Sequence, residues 1–192
     1  MLHEIFEASI SAHQTAIEKS FTSAQIQILE TITAEIIRCF RDGRKLMLCG
    51  NGGSASDSQH IAAEFVGRFH RERRGLPALA LTTDTSILTA VANDYSYDDI
   101  FSRQIEALGV SGDVLIAIST SGNSKNVLKA VSRAQEMGII CIGFTGVSGG
   151  LLKDKTPLTF KAISPLTPHI QEVHITALHA ISEAVEKVLF GS

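Results

Sequence analysis

The sequence predicts an α/β protein, a parallel β-sheet covered by helices on both faces and preceded by a pair of helices. Three observations carry this. Short apolar runs fit for buried strands recur at Lys45–Cys49, Leu76–Leu81, Val114–Ile118, Ile139–Phe144 and Leu158–Ile163. Between them lie stretches of helical periodicity, and glycine- or hydroxyl-rich turns follow the runs at Gly50–Gly53, Ser119–Ser124 and Thr145–Gly150. Strands alternating with helices give a Rossmann-like or flavodoxin-like three-layer sandwich, in which ligands bind beyond the carboxyl ends of the strands.

The elements follow in order. Leu2, Ile5, Phe6, His13, Ala16, Ile17 and Phe21 step by threes and fours and mark a leading amphipathic helix. Ser23 is placed to cap a second, which carries Ile26, Leu29, Ile32, Ile36, Ile37 and Phe40 on one face and ends at Asp42-Gly43. A helical pair ahead of a βαβ series commonly serves an interface. After the first strand, Gly50-Asn51-Gly52-Gly53 breaks the chain, and Ser54 with Asp57 reads as a helix start. Thr82–Asn93 is expected as a short helix with a loop at Asn93-Asp94, and Ile100–Leu108 as a further helix. Helices at Lys125–Met137 and Pro168–Leu189 complete the series.

Composition narrows the function classes. Across 192 residues no low-complexity linker appears, so one domain is expected, with residues 1–42 at an oligomer interface. Net charge is −3 and only Arg68 to Arg74 form a basic cluster, so no nucleic-acid groove is expected. The N-terminal MLHEIFEASI lacks a basic start and a long apolar run, and no stretch reaches the roughly 18 apolar residues of a membrane span. The three cysteines, Cys39, Cys49 and Cys141, sit in apolar contexts that suit reduced thiols, so a cytoplasmic location is expected. An apolar content of 44% with no Trp points to further surface buried between subunits.

Two constellations carry chemistry. The run Ser119-Thr120-Ser121-Gly122-Asn123-Ser124 lies where a strand turns into a helix, and its hydroxyls with free N–H groups can surround a phosphate; the same residues would also make an ordinary helix cap. Neither a Walker loop nor a G-x-G-x-x-G turn is present. His60 and Glu64 lie four residues, about 40°, apart on one helix, a spacing that serves a surface ion pair as readily as a metal or catalytic site. Gln171, Glu172, His174 and His179 interrupt the apolar last helix. Gln171 and His179 are about 80° apart and can converge, Glu172 shares their face, and His174 points elsewhere. Glu183 and Glu186 are expected to face solvent or a subunit boundary.

The ordered set CGNGGSA, QHIAAEFVGRF, AND, STSGNS, TG followed by GG, and IQEVHI resembles the sugar isomerase (SIS) family, specifically its bacterial phosphoheptose isomerases, over essentially the whole chain. The resemblance implies isomerisation of sedoheptulose 7-phosphate to D-glycero-D-manno-heptose 7-phosphate, the first step toward ADP-heptose and the lipopolysaccharide core. It implies cytoplasmic homotetramers with active sites at subunit boundaries and one Zn2+ per subunit. Carried onto this chain, the metal ligands are His60, Glu64, Gln171 and His179, and the catalytic pair is Glu64 and His179. Asn51, Gly52, Gly53, Asn93, Asp94, Ser119, Thr120, Ser121, Ser124 and Gln171 form the substrate-binding set. One departure is His169, where many members of the family carry Arg. The competing reading is a non-catalytic SIS tetramer that binds the replication initiator DnaA; such proteins generally lack the acid and imidazole found here at Glu64 and His179. A sugar-phosphate-sensing module and an isomerase of another phosphosugar are further alternatives.

Overall fold

The computed structural model describes residues 1–191. Five parallel strands, β1 (Leu46–Gly50), β2 (Ala78–Ala80), β3 (Val114–Ser119), β4 (Ile140–Thr145) and β5 (Leu158–Lys161), stand in the order β2-β1-β3-β4-β5. The eight α-helices are α1 (Leu2–Ser20), α2 (Ser23–Arg41), α3 (Gly53–Val66), α4 (Thr85–Asp94), α5 (Ser102–Leu108), α6 (Lys125–Glu136), α7 (Leu152–Lys155) and α8 (Thr167–Phe190), with a 3₁₀ turn at Tyr97–Asp99.

The period-2 alternation of the central strands divides the core in two. Leu46, Leu48, Val114, Ile116 and Ile118 pack with α2, α3 and α8, whereas Met47, Cys49, Leu115 and Ala117 pack with α5, α6 and α7. Both faces of β1 and β3 are buried throughout, which is why these strands read as unbroken apolar runs. The chain reverses its winding between β1 and β3. The carboxyl ends of these strands, at Gly50 and Ser119, therefore open the crevice in which such sheets bind ligands.

Several expectations are corrected. The cap of α2 is Thr22, whose extended backbone lets its hydroxyl accept the Gln25 N–H at 3.4 Å; Ser23 is already helical. The cap of α3 is Gly52, with no side-chain hydrogen bond, so Ser54 lies inside the first turn. Asn93 and Asp94 form the last turn of α4 rather than a loop. The strand expected to reach Ile163 stops at Lys161, because the Ile163 N–H turns to Ser20 Oγ (2.7 Å) and ties the sheet to α1. The cysteines are free and buried, as expected, and burial pushes the Cys39 and Cys141 thiols up to about 12.

Candidate active site

The first feature at the crevice is the turn from β1 into α3. Gly52 sits at φ 55°, ψ −121°, a conformation open to glycine alone, and this lets the chain reverse within two residues. Gly53 serves a close approach: a Cβ there would stand 2.5 to 2.7 Å from Nε2, Cδ and Oε1 of Gln171. The Gln171 amide thus lies directly over the start of α3. About two turns further along both helices, His179 meets His60, their Nε2 atoms 2.8 Å apart. Helices α3 and α8 therefore run side by side in the same direction, pairing Gly53 with Gln171 and His60 with His179.

Glu64 completes the cluster, its Oε1 3.5 Å from His60 Nε2. The ligand atoms of His60, Glu64 and His179 all lie within 4.8 Å of one another. Two imidazole nitrogens in contact leave room for only one proton between them. Burial and the neighbouring His60 lower the His179 pKa, while Glu64 works in the opposite direction. Two imidazoles and a carboxylate form a donor set that suits a divalent metal such as zinc, and Gln171 projects from the same helix as His179. The Phe69 ring, 5.8 Å from that of His179, packs against the cluster.

The hydroxyl loop lies across the crevice. Ser119 and Ser124 hydrogen-bond through their hydroxyls at 2.9 Å, Ser121 Oγ accepts the Asn123 N–H (3.1 Å), and the Thr120 carbonyl accepts the Gly146 N–H (2.9 Å). Thr120 and Ser121 open onto a hollow of about 250 Å³ that also touches Gly146, Ser148, Ser164 and Thr167. Asn51 is locked from the far side by a residue that sequence reasoning missed. Its Nδ2 donates to Asn126 Oδ1 (2.9 Å), Asn126 Nδ2 returns a bond to Asn51 Oδ1 (2.8 Å), and Tyr97 Oη donates to the same oxygen (3.0 Å). The one available signal was a polar residue immediately behind the hydroxyl loop, in Asn123-Ser124-Lys125-Asn126.

Other candidates fall differently. The Asn93 amide donates to Asp94 Oδ1 (2.9 Å), both residues are exposed, and beyond this bond neither side chain hydrogen-bonds a further candidate among the described residues. Glu172 does not join His179 although it shares its face. Seven residues along a helix are about 10 Å of rise, which carries Glu172 toward α1 instead, where its Oε2 meets His13 Nδ1 at 2.6 Å as well as His169 Nδ1, one turn back on α8, at 2.8 Å. His174 is buried as a core residue, its Nε2–H donating to the Thr145 carbonyl at 3.0 Å. Asp57 does not serve the first turn of α3. Its Oδ2 is enclosed without a partner, and burial pushes its pKa up to about 6, against the opposing effect of His60.

Glu186 departs furthest from expectation. It is 2% exposed and accepts hydrogen bonds from the backbone N–H groups of Phe69 (3.0 Å), His70 (2.8 Å) and Arg71 (3.1 Å) and from Arg73 Nε (2.9 Å). Burial opposes its charge, but these donors outweigh it and hold the carboxyl below the ordinary range. Arg73 also donates to the Glu64 carbonyl at 2.8 Å, so the pair fastens the end of α3 that carries Glu64.

The fold and this site define an SIS domain, and the SIS domain model matches residues 8–146. Within that class the chain belongs to the phosphoheptose isomerase family. It is 54% identical over 184 residues to the phosphoheptose isomerase of Roseiflexus sp. (strain RS-1), covering 96% of this chain and 91% of the relative. It is 49% identical over 191 residues to that of Clostridium acetobutylicum, covering 99% and 97%. A solved phosphoheptose isomerase structure from Neisseria gonorrhoeae superposes with a TM-score of 0.91 at 39% identity, covering 97% of this chain and 100% of that one.

Proposed function

We propose that this chain is an aldose–ketose isomerase that interconverts sedoheptulose 7-phosphate and D-glycero-D-manno-heptose 7-phosphate, at the entry to ADP-heptose and lipopolysaccharide core synthesis. The observation that carries the proposal is the convergence of His60, Glu64 and His179 on one side of a parallel-sheet crevice whose other side is a hydroxyl loop. Relatives of near 50% identity named as phosphoheptose isomerases support the same reading and disfavour the DnaA-binding alternative.

In this mechanism Ser119, Thr120, Ser121 and Ser124, with the N-terminal N–H groups of α6, hold the phosphate. Asn51, Gly52, Gly53, Asn93, Asp94 and Gln171 bind the sugar. Glu64 removes the proton from C1, an enediol forms, and the proton returns at C2. His179, whose pKa burial and His60 lower, moves the proton between the two sugar oxygens. A zinc ion held by His60, Glu64, Gln171 and His179 would polarise the substrate carbonyl and stabilise the developing oxyanion. A carboxylate bound tightly to metal would be a weak base, so Glu64 would either ligate weakly and shift on substrate binding or leave the metal a chiefly organisational role.

Residues 1–192 are read as one SIS domain that assembles as a cytoplasmic homotetramer with active sites at subunit boundaries. Supporting this, α1 leaves Leu2, Ile5, Phe6 and Ile10 more than half exposed, and α2 and α8 border an apolar cleft of about 480 Å³. Among the described residues no helix is long and apolar enough to cross a membrane. The deciding experiment follows aldose formation from sedoheptulose 7-phosphate. Wild type should turn over and lose activity to a chelator with recovery on added zinc, and Glu64→Gln should fall by about 10² or more. A folded, zinc-supplied wild type without turnover would overturn the assignment.

A further inference from the structure

The chain holds a second convergence of metal-ligating groups that the isomerase reaction does not use. Glu172 Oε2 is the shared partner of His13 Nδ1 (2.6 Å) and His169 Nδ1 (2.8 Å), and the three ligand atoms lie within 4.8 Å of one another. The two imidazole rings sit 6.1 Å apart, tilted by 56°. His169 belongs to α8 and its side chain is only 7% exposed, whereas His13 on α1 and Glu172 are 36% and 47% exposed. The cluster thus has a fixed floor and an open mouth.

We propose that His13, His169 and Glu172 form a second divalent transition-metal site, which fastens helix α1 to helix α8. Two imidazole nitrogens and one carboxylate oxygen suit Zn2+, Co2+ or Ni2+ better than the all-oxygen preference of Mg2+ or Ca2+. Ligands of a tetrahedral zinc stand about 3.3 Å apart, given metal–ligand bonds of about 2.0 to 2.1 Å. The two nitrogen–oxygen distances seen here, 2.6 and 2.8 Å, need open by only about 0.5 to 0.7 Å. Both Nδ1 atoms face the same oxygen, so an ion entering between them replaces two hydrogen bonds by three coordinate bonds. The proton on each ring moves to Nε2, and water fills the fourth position through the open mouth.

The fold has a use for such a fastening. Of the 19 residues of α1 only Ala16 and Ser20 are buried, so few apolar contacts hold the helix to α8. Arginine at position 169 could pair with Glu172 but cannot ligate a metal. The substitution His169→Arg therefore removes a ligand while preserving a partner for the carboxylate.

The test counts ions. Wild-type protein and His169→Arg are stripped with chelator, titrated with Zn2+ alone by calorimetry, and assayed for bound zinc by elemental analysis. His169→Arg is expected to bind one ion per chain fewer than wild type. The same comparison in a His60→Ala/His179→Ala background isolates this site. There, zinc at 100-fold over its Kd should raise Tm by about 5 to 10 °C, and adding His169→Arg should abolish the rise. Equal zinc content in wild type and His169→Arg would overturn the proposal, leaving a hydrogen-bonded triad without metal.

Discussion

Glu186→Gln tests whether a charge buried on α8 holds the segment behind the active-site cluster. Phe69 N–H and Arg73 Nε–H point at Oε1, and His70 and Arg71 N–H point at Oε2. An amide in either orientation turns its NH2 toward two of these donors. Two hydrogen bonds are lost, and a guanidinium that is 2% exposed loses its countercharge. Hydrogen bonds to a charged acceptor contribute about 1.5 to 3 kcal/mol each, and removing one partner of a buried pair costs about 3 to 5 kcal/mol. The second figure already contains the first, so the expected destabilisation is about 3 to 5 kcal/mol, a fall in Tm on the order of 10 °C for a chain of this size. Urea unfolding at neutral pH, followed by circular dichroism, measures it. Glu183→Gln is the control, since Glu183 is paired with Lys187 at the surface and its loss should leave the midpoint unchanged. A Glu186→Gln variant within about 1 kcal/mol of wild type, at unchanged m, would refute the account of Glu186 as an indispensable acceptor.

Gly53→Ala should push the Gln171 amide off the start of α3, because a Cβ would stand 2.5 Å from its Nε2. The obstacle is a flexible side-chain end, so kcat/KM should fall about tenfold or more while stability changes by less than about 1 kcal/mol. Asn126→Ala removes the reciprocal amide pair that holds Asn51 and leaves that side chain free to rotate. Unfolding free energy should drop by about 1 to 3 kcal/mol and KM for the sugar phosphate should rise. One buried and one half-buried group tilt stability against pH in opposite senses. Burial lowers the His174 pKa to about 4, only partly offset by the Thr145 carbonyl, so its neutral form contributes stability that is present above about pH 6.5 and lost as pH falls toward 4. His174→Gln should therefore gain up to about 3 kcal/mol relative to wild type across that fall. Asp57 is raised to about 6, so the fold holds its proton and that stabilisation disappears as pH rises from about 4 through 6. Asp57→Asn should gain about 1 to 2 kcal/mol relative to wild type over that rise, the partial exposure of the residue reducing the effect. Denaturant midpoints at four pH values check both variants, and parallel curves for wild type and variants would refute the assignments.

Local chemistry alone encodes part of this architecture. Val114–Ile118 had to be a strand buried on both faces because it offers no polar side to solvent. The glycine turn before α3 and the hydroxyl loop before α6 follow from backbone conformation and capping chemistry. His60 with Glu64 and Gln171 with His179 were legible as shared helix faces because angle around an axis depends only on residue spacing. Tertiary structure decided everything that depends on what lies opposite those faces. Glu172 shares a face with His179 yet answers to His13 of α1, beside its own helix's His169, since position along the axis selects a different neighbouring helix. Glu186 was expected to face solvent or a subunit boundary and is buried because a loop more than a hundred residues earlier turns three N–H groups and an arginine onto it. Asn126 became part of the site only when parallel pairing of β1 with β3 set their carboxyl ends side by side. A side chain's periodicity is a property of its own helix, but its partner is supplied by a distant segment, and only the packed chain brings the two together.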